Sequence, residues 1–294
     1  MDIMKTQFKI FWVIFALLWA GMVHAKEEGK YPFWRLVAKS YLIVEGTIEV
    51  PASDIQKAVQ SGEHDYVKVR VAVKQALKGQ PDSQNFNFRY YTDTETYGGV
   101  SREKILAQNG QPVILFLQKV QEKYYLAAYA PETLQPVSRD LVQRIEQEND
   151  IQEKQIQESD RYAAGHVLPR ETELQSLIEM MIDKRIDPGT AQAVYEAVIA
   201  LGKDAVPTII KYLDDRRKLH IPKITLEPWW PDAHEGLVHY GPETVTDVLS
   251  VALMVLTNED LTAIYNGGTE LERAQAVRIW KIYERRTYGK TVDQ

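Results

Sequence analysis

Cysteine is absent from all 294 residues. That excludes a disulfide framework, a thiol nucleophile and any zinc site built on thiolates. Stability must come from ordinary apolar burial. An excess of basic charge is also missing: 35 Lys and Arg stand against 41 Asp and Glu, a net charge of −6 that disfavours a nucleic-acid partner. There is no Gly-x-Ser-x-Gly elbow, no phosphate-binding glycine loop and no Gly-x-Gly-x-x-Gly fingerprint. Acyl transfer from a Ser elbow and nucleotide chemistry therefore have no support. Ile10 to Ala20 is an apolar run of about 11 residues, short of the roughly 20 needed to cross a bilayer.

That short run has the setting of an export signal. Lys5 and Lys9 precede an apolar stretch from Ile10 to Leu18, and Val23-His24-Ala25 forms a small-residue cleavage site. Cleavage after Ala25 would leave Lys26 to Gln294 and move the net charge from −6 to −7, through loss of Lys5, Lys9 and Asp2. The expected location is periplasmic: exported, soluble, and without stable membrane insertion once residues 1–25 are removed.

From Leu36 to about Val137 the pattern is that of strands. Leu42, Val44, Gly46 and Ile48 alternate with Tyr41, Ile43, Glu45, Thr47 and Glu49. Val67, Val69, Val71 and Val73 share one face, with Lys68, Arg70 and Lys74 on the other, and Lys78-Gly79 closes the run. Asn85 to Tyr91 alternates aromatic and polar residues, Pro112 to Val120 reads as a strand buried on both faces, and Tyr124 to Tyr129 pairs with it through Gln121-Glu122-Lys123. Five strands at this spacing predict a small barrel or sandwich over 33–137.

Ser138 to Tyr162 contains no Gly or Pro and is crowded with charge. Ser138 can cap a helix whose thin apolar stripe is Leu141, Val142, Ile145 and Ile156, a charged helical linker over 138–165. Beyond Pro169 the period becomes 3.6. Helices are expected around Leu174–Ile182, Ala193–Leu201, Ala205–Leu213, Val245–Leu256 and Ala274–Tyr283, with Pro188-Gly189 as a turn between the first two. The fold class expected is α+β, a small β domain followed by a helical domain over 166–294.

The segment Ala200 to Asp215 (ALGKDAVPTIIKYLDD) resembles a HEAT repeat at its second helix, with Gly202 ending one helix, Asp204 capping the next and Pro207 in its first turn. The resemblance extends over Thr190 to Tyr283, with Trp280 on the last helix, and is to exported bacterial HEAT-like proteins; it implies a scaffold or binding surface. Asp214-Asp215-Arg216-Arg217 is similar to the charged turn of such repeats. More weakly, Ile43–Ile48, Val67–Gly79 and Pro112–Leu117 resemble the OB-like barrel of the netrin and tissue-inhibitor-of-metalloproteinase group. That family's inhibition relies on an amino-terminal cysteine, which is lacking here.

Candidate site residues cluster in the connection Leu219 to Pro242, which holds Trp229, Trp230 and four prolines. A connection of that length is usually functional, and Trp is favoured at binding hot spots, although a tryptophan capping the helical core is the commoner case. His234 and His239 are five apart, so a helix would turn them away from each other, unlike a zincin pair. With His220 and a carboxylate, Asp232 or Glu235, they form a candidate metal set, against which stands the commoner reading as ordinary loop histidines. Tyr97, with Tyr90, Tyr91 and Gly98-Gly99, marks an aromatic loop, and the cationic row Lys68, Arg70, Lys74 is a polyanion candidate that also reads as a solvated face.

The expected function is that of a non-enzymatic binding or inhibitory protein with a protein partner and no cofactor. One specific form is an immunity protein against a toxin delivered to the periplasm. The rivals are a metal-dependent hydrolase using His220, His234 and His239, and an envelope structural protein.

Overall fold

The computed structural model describes residues 31–61, 66–92, 98–220, 223–226, 238–262, 264 and 267–289. The segment expected to be an export signal, residues 1–25, lies outside the described residues. Among those described, no helix is long and apolar enough to cross a membrane. Residues from Phe33 to Gln294 form one compact unit, of mixed α+β composition.

The strand pattern of the first half closes into a five-strand barrel. β1 (Leu42–Glu49) pairs antiparallel with β2 (Tyr66–Lys78), and β2 with β3 (Asn85–Tyr91). The chain then returns, so that β4 (Pro112–Val120) lies antiparallel beside β1, with Leu42 opposite Leu117. β5 (Lys123–Leu126) forms a hairpin with β4 and runs parallel to β3 at Phe88 and Tyr124, which closes the circuit. Three strands in sequence with the fourth back beside the first is the Greek-key order. A short β6 (Leu134–Pro136) extends the β4 edge. The interior is Leu42, Val44, Ile48, Val67, Val69, Val71, Phe88, Tyr90, Val113, Leu115 and Leu117, all buried.

Three short helices, which the strand pattern expected from Leu36 to about Val137 did not include, sit among these strands: α1 (Phe33–Lys39), α2 (Ala52–Ser61) and α3 (Arg102–Ala107). Ser101 caps α3 by accepting from the Lys104 amide, and buried Ile105 of α3 and Ile55 of α2 enter the barrel core. β4, and β1 at Ile43, are apolar on the outer face as well, where that face is covered. Ile43, Ile114 and Phe116 are fully buried, and Phe116 meets Phe33 of α1 edge to face at 6.4 Å.

Two backbone devices set the barrel's register. Gly79, at φ +70°, lies so near Tyr41 that a Cβ would come within 2.5 Å of its carbonyl oxygen. Only glycine fits there. The β4–β5 turn uses Gln121 and Glu122, both at positive φ (45° and 63°). A two-residue turn of that handedness matches strand twist, and it forms here without the expected glycine or asparagine. Lys123 is therefore the first residue of β5 and not part of the turn.

α4 (Arg139–Gly165) is a single 27-residue helix, capped by Ser138 accepting from the Leu141 amide at 3.2 Å. At 1.5 Å per residue it is about 40 Å long. Leu141 and Ile145 are buried as the stripe predicts, and so are two polar residues, Gln152 and Ser159. Gln152 donates to the Trp34 carbonyl at 2.9 Å and Asn149 to the Leu77 carbonyl at 3.1 Å.

The helices that follow are α5 (Glu171–Met181), α6 (Pro188–Ala200), α7 (Val206–Tyr212), α8 (Val245–Thr257) and α9 (Glu270–Thr287). Pro188-Gly189 is not the expected turn but the first turn of α6. Asp187 caps it by accepting from the Gly189 and Thr190 amides, and proline at the first helical position forfeits only an amide that has no intrahelical partner. Asp204 likewise does not cap α7. It lies in a 3-10 turn, Lys203–Ala205, started by Gly202 at φ +79°. α9 begins four residues earlier than expected, at a capping box in which Thr269 and Glu272 satisfy each other's backbone amides. The connection from Leu219 to Pro242 carries a two-stranded ladder, β7 (Ile224–Leu226) against β8 (Val238–Tyr240). α8 is buried almost throughout, and Trp280 of α9 is fully enclosed in the helical core.

Candidate functional site

Most of the residues singled out by sequence fall where nothing is described. Trp229, Trp230, His234 and Tyr97, with Asp232 and Glu235, lie outside the described residues. The backbone of His239 is in β8, opposite Thr225, and His220 is exposed on the approach to β7. Among the described residues no group of three or more His, Cys, Asp or Glu is placed to hold a metal. Tyr90 belongs to the barrel core and donates to the Val100 carbonyl at 3.0 Å. Asp214 and Asp215 are ion-paired turn residues, to Arg216 at 2.8 Å and Arg217 at 2.6 Å.

The outer face of β2, β3 and β5 gathers a different set. Alternation along β2 turns Tyr66, Lys68 and Arg70 outward, and antiparallel register puts Tyr66 opposite Tyr91 and Lys68 opposite Arg89. The parallel β3–β5 pairing adds Tyr125 beside Arg89. Tyr66, 44% exposed, stands 5.1 Å from the Tyr91 ring and 5.5 Å from that of Tyr125, which meets it edge-on. Lys68 and Arg89 form no ion pair among the described residues, and the nearest carboxylate contact on this face is Arg70 with Glu49 at 3.8 Å, both largely exposed. Like charges directly opposite on a sheet cost roughly 0.2–1 kcal/mol. Lys74, further along the row, is already paired with the buried Glu45 at 2.5 Å.

Sequence parity gave Lys68 and Arg70 of this face. It missed Arg89 and Tyr125, because which residues stand beside β2 depends on pairing with β3 and β5. Arg89 does occupy an outward position of the Asn85–Tyr91 alternation, which is the signal that could have found it.

A second polar group lines a cavity of about 220 Å³ where the end of α1, the end of β4 and the α8–α9 connection meet α9. Lys119, whose side chain is only 9% exposed, pairs with Asp82 at 3.1 Å and Glu122 at 3.0 Å, over the rings of Tyr41 and Tyr124. Burial opposes its charge, but the hydrogen bonds it donates to Glu122 and Asp82 outweigh burial and hold the ammonium above the usual lysine range. Lys39 faces the same cavity with no hydrogen bond or close ion pair among the described residues. Burial lowers it below the ordinary lysine value, against the opposing charge of Asp260.

Two buried charged groups are structural. Asp247 accepts from the amides of Glu243 (2.9 Å) and Thr244 (3.1 Å), from the Thr244 hydroxyl (3.0 Å), and from Arg273 at 2.8 and 3.0 Å, so its lone pairs are filled. This cluster ties the start of α8 to α9. Glu284 of α9 accepts from Ser159 of α4, and burial lifts its carboxyl above the ordinary range despite that bond.

No family model, curated protein or solved structure matches this chain.

Proposed function

We propose that the chain is a non-enzymatic binding protein of the periplasm, which holds a protein partner by seating an acidic, extended segment on the outer β2–β3–β5 face of its barrel. One observation carries the reading: Lys68 and Arg89 stand directly opposite each other with no counter-ion among the described residues, on an acidic protein, beside Tyr66, Tyr91 and Tyr125. A carboxylate between the two cations would turn a repulsion into two attractions, and tyrosines supply rigid contact area at low entropic cost. The Greek-key order supports the OB-like reading of the barrel, a fold whose equivalent sheet face binds extended polymers. Packing of α5 on α6 and of α7 on α8 supports the HEAT-type reading of the helical part. An immunity protein that masks a toxin delivered to the periplasm is the specific form this reading takes.

The test is affinity capture from extracts of the native cell with residues 26–294, run beside the double variant Lys68→Glu, Arg89→Glu. A partner held by the wild type, released by salt and lost in the variant is the expected result. Equal retention by both proteins removes the barrel face from the mechanism. One equivalent of zinc in untagged protein, lost on substitution of His234 or His239, would replace the binding reading with the hydrolase.

A further inference from the structure

The cavity at the end of α1 is a separate matter from the barrel face and does not depend on it. Its polar lining divides into groups that are already engaged and groups that are not. Lys119 is neutralised by Asp82 and Glu122, Glu272 accepts from the backbone and hydroxyl of Thr269, and Gln275 donates to the Ala38 carbonyl. Of the charged groups Lys39 and Asp260 remain, an ammonium and a carboxylate that share the cavity without forming a salt bridge to each other. The rest of the wall is mixed: Val120, Leu261, Ile264, Leu271 and Ile279 supply an aliphatic side, and Tyr41, Gln118 and Thr262 add uncharged polar groups. Space is sufficient for a small solute, since a cavity of about 150 Å³ already admits benzene.

From this arrangement we infer that the cavity is a binding site for a free α-amino acid with an apolar side chain. The carboxylate would meet Lys39, the ammonium would meet Asp260, and the side chain would lie against the aliphatic wall. A simple anion fits the electrostatics less well. Asp260 adds negative charge to the cavity, and Lys119 has none of its own positive charge left to offer. A zwitterion satisfies both uncommitted charged groups and leaves the net charge of the site unchanged. Burial already disfavours the charged form of Lys39, so a carboxylate at that point relieves a standing cost. The site also lies where several elements converge, as small-molecule sites commonly do.

Calorimetric titration of residues 26–294 with L-valine, L-leucine, L-methionine and L-phenylalanine tests the inference. Two half-charged analogues of leucine, 4-methylpentanoate and 3-methylbutylamine, serve as comparators. The expected result is saturable binding of at least one amino acid at one site per chain. Affinity should fall at least about tenfold in Lys39→Met, in Asp260→Asn and for both analogues, each change being worth about 1.4 kcal/mol or more. Asp260 is exposed, so Asp260→Asn decides the matter should Lys39→Met fail to fold. No binding by any of the four at millimolar concentration overturns the proposal. So does undiminished binding in a folded variant, or equal binding of 4-methylpentanoate, which would show that the ammonium is not read.

Discussion

Arg273 and Asp247 are the pair on which the α8–α9 junction turns. Asp247 is wholly enclosed, and Arg273 reaches both of its oxygens while also meeting Glu243 at 3.2 Å. Replacing Arg273 with Ala leaves a carboxylate buried with only neutral donors, a change that typically costs about 3–5 kcal/mol. Urea unfolding of Arg273→Ala should show a loss of that size, with the slope of the transition unchanged. Glu284 makes a prediction of opposite sign. The unfolded chain titrates it near 4.5, whereas burial raises it in the fold, so between those two values the folded state holds the extra proton. Stability then falls as pH rises through that window and stays lowered above it. Glu284→Gln keeps an acceptor for Ser159 and removes the charge, so its melting temperature should exceed the wild type's at about pH 7.5 and match it at about pH 3.5. Neither residue was legible as a site. A charged side chain in a helical stripe looks solvated until a partner distant in sequence, Ser159 for Glu284 and Asp247 for Arg273, takes it out of water.

At the scale of strands and helices, β2 and β3 show stability set against use. Arg89→Glu would place opposite charges across the ladder from Lys68, which should stabilise the barrel by roughly 0.2–1 kcal/mol at low salt. The same change would remove the proposed partner site. A variant that melts higher than wild type yet releases the captured partner is the expected outcome, and a lower melting temperature would show that the two cations do not repel in the folded sheet. The barrel was readable in outline because period-two alternation survives wherever one face is buried, as in Val67, Val69 and Val71. Where both faces are covered the alternation gives way to a continuous apolar run, and Pro112 to Val120 was readable as a doubly buried strand on that ground; the reading failed where short helices cap the barrel. α3 has only six residues, too few for a 3.6-residue period to declare itself. α4 read as a charged linker with only a thin apolar stripe because two of its buried positions are Gln152 and Ser159, held by hydrogen bonds and not by apolar contact. Pro188-Gly189 shows how one dipeptide serves two purposes: next to an aspartate at the capping position it opens a helix, and without one it turns the chain.

At the scale of the molecule, seven residues join the barrel to the helices. α1 sets Phe33 against Phe116 of β4 and under Arg144 of α4, whose guanidinium lies 4.4 Å from its ring centre. Trp34 lies under Arg286 of α9 at 5.0 Å, and Arg35 pairs with Glu259 at 2.6 Å, in the connection that leaves α8. The carbonyls at the end of α1, which no helical amide can satisfy, are taken by side chains from both halves. Lys78 of β2 donates to Val37 at 2.6 Å, and Gln275 of α9 donates to Ala38 at 2.5 Å. Leu36 and Val37 are fully buried between these partners, and Ala38 belongs to the helical core. A rung of ion pairs between α4 and α9, Arg286 with Glu148, Arg278 with Glu153 and Lys281 with Asp160, reinforces the connection, though partly exposed pairs of this kind each contribute at most about 1 kcal/mol. Apolar burial around α1 therefore outweighs the charge ladder in coupling the two halves. Leu36→Ala should cost about 2–5 kcal/mol, and the loss should appear equally in both. Hydrogen exchange followed by mass spectrometry in moderate urea would read it: peptides from β1 and β4 and peptides from α8 and α9 should lose protection together in wild type, and together at lower urea in the variant. Earlier loss in the barrel alone would mean that α1 belongs energetically to one half, and that the barrel folds as a domain of its own.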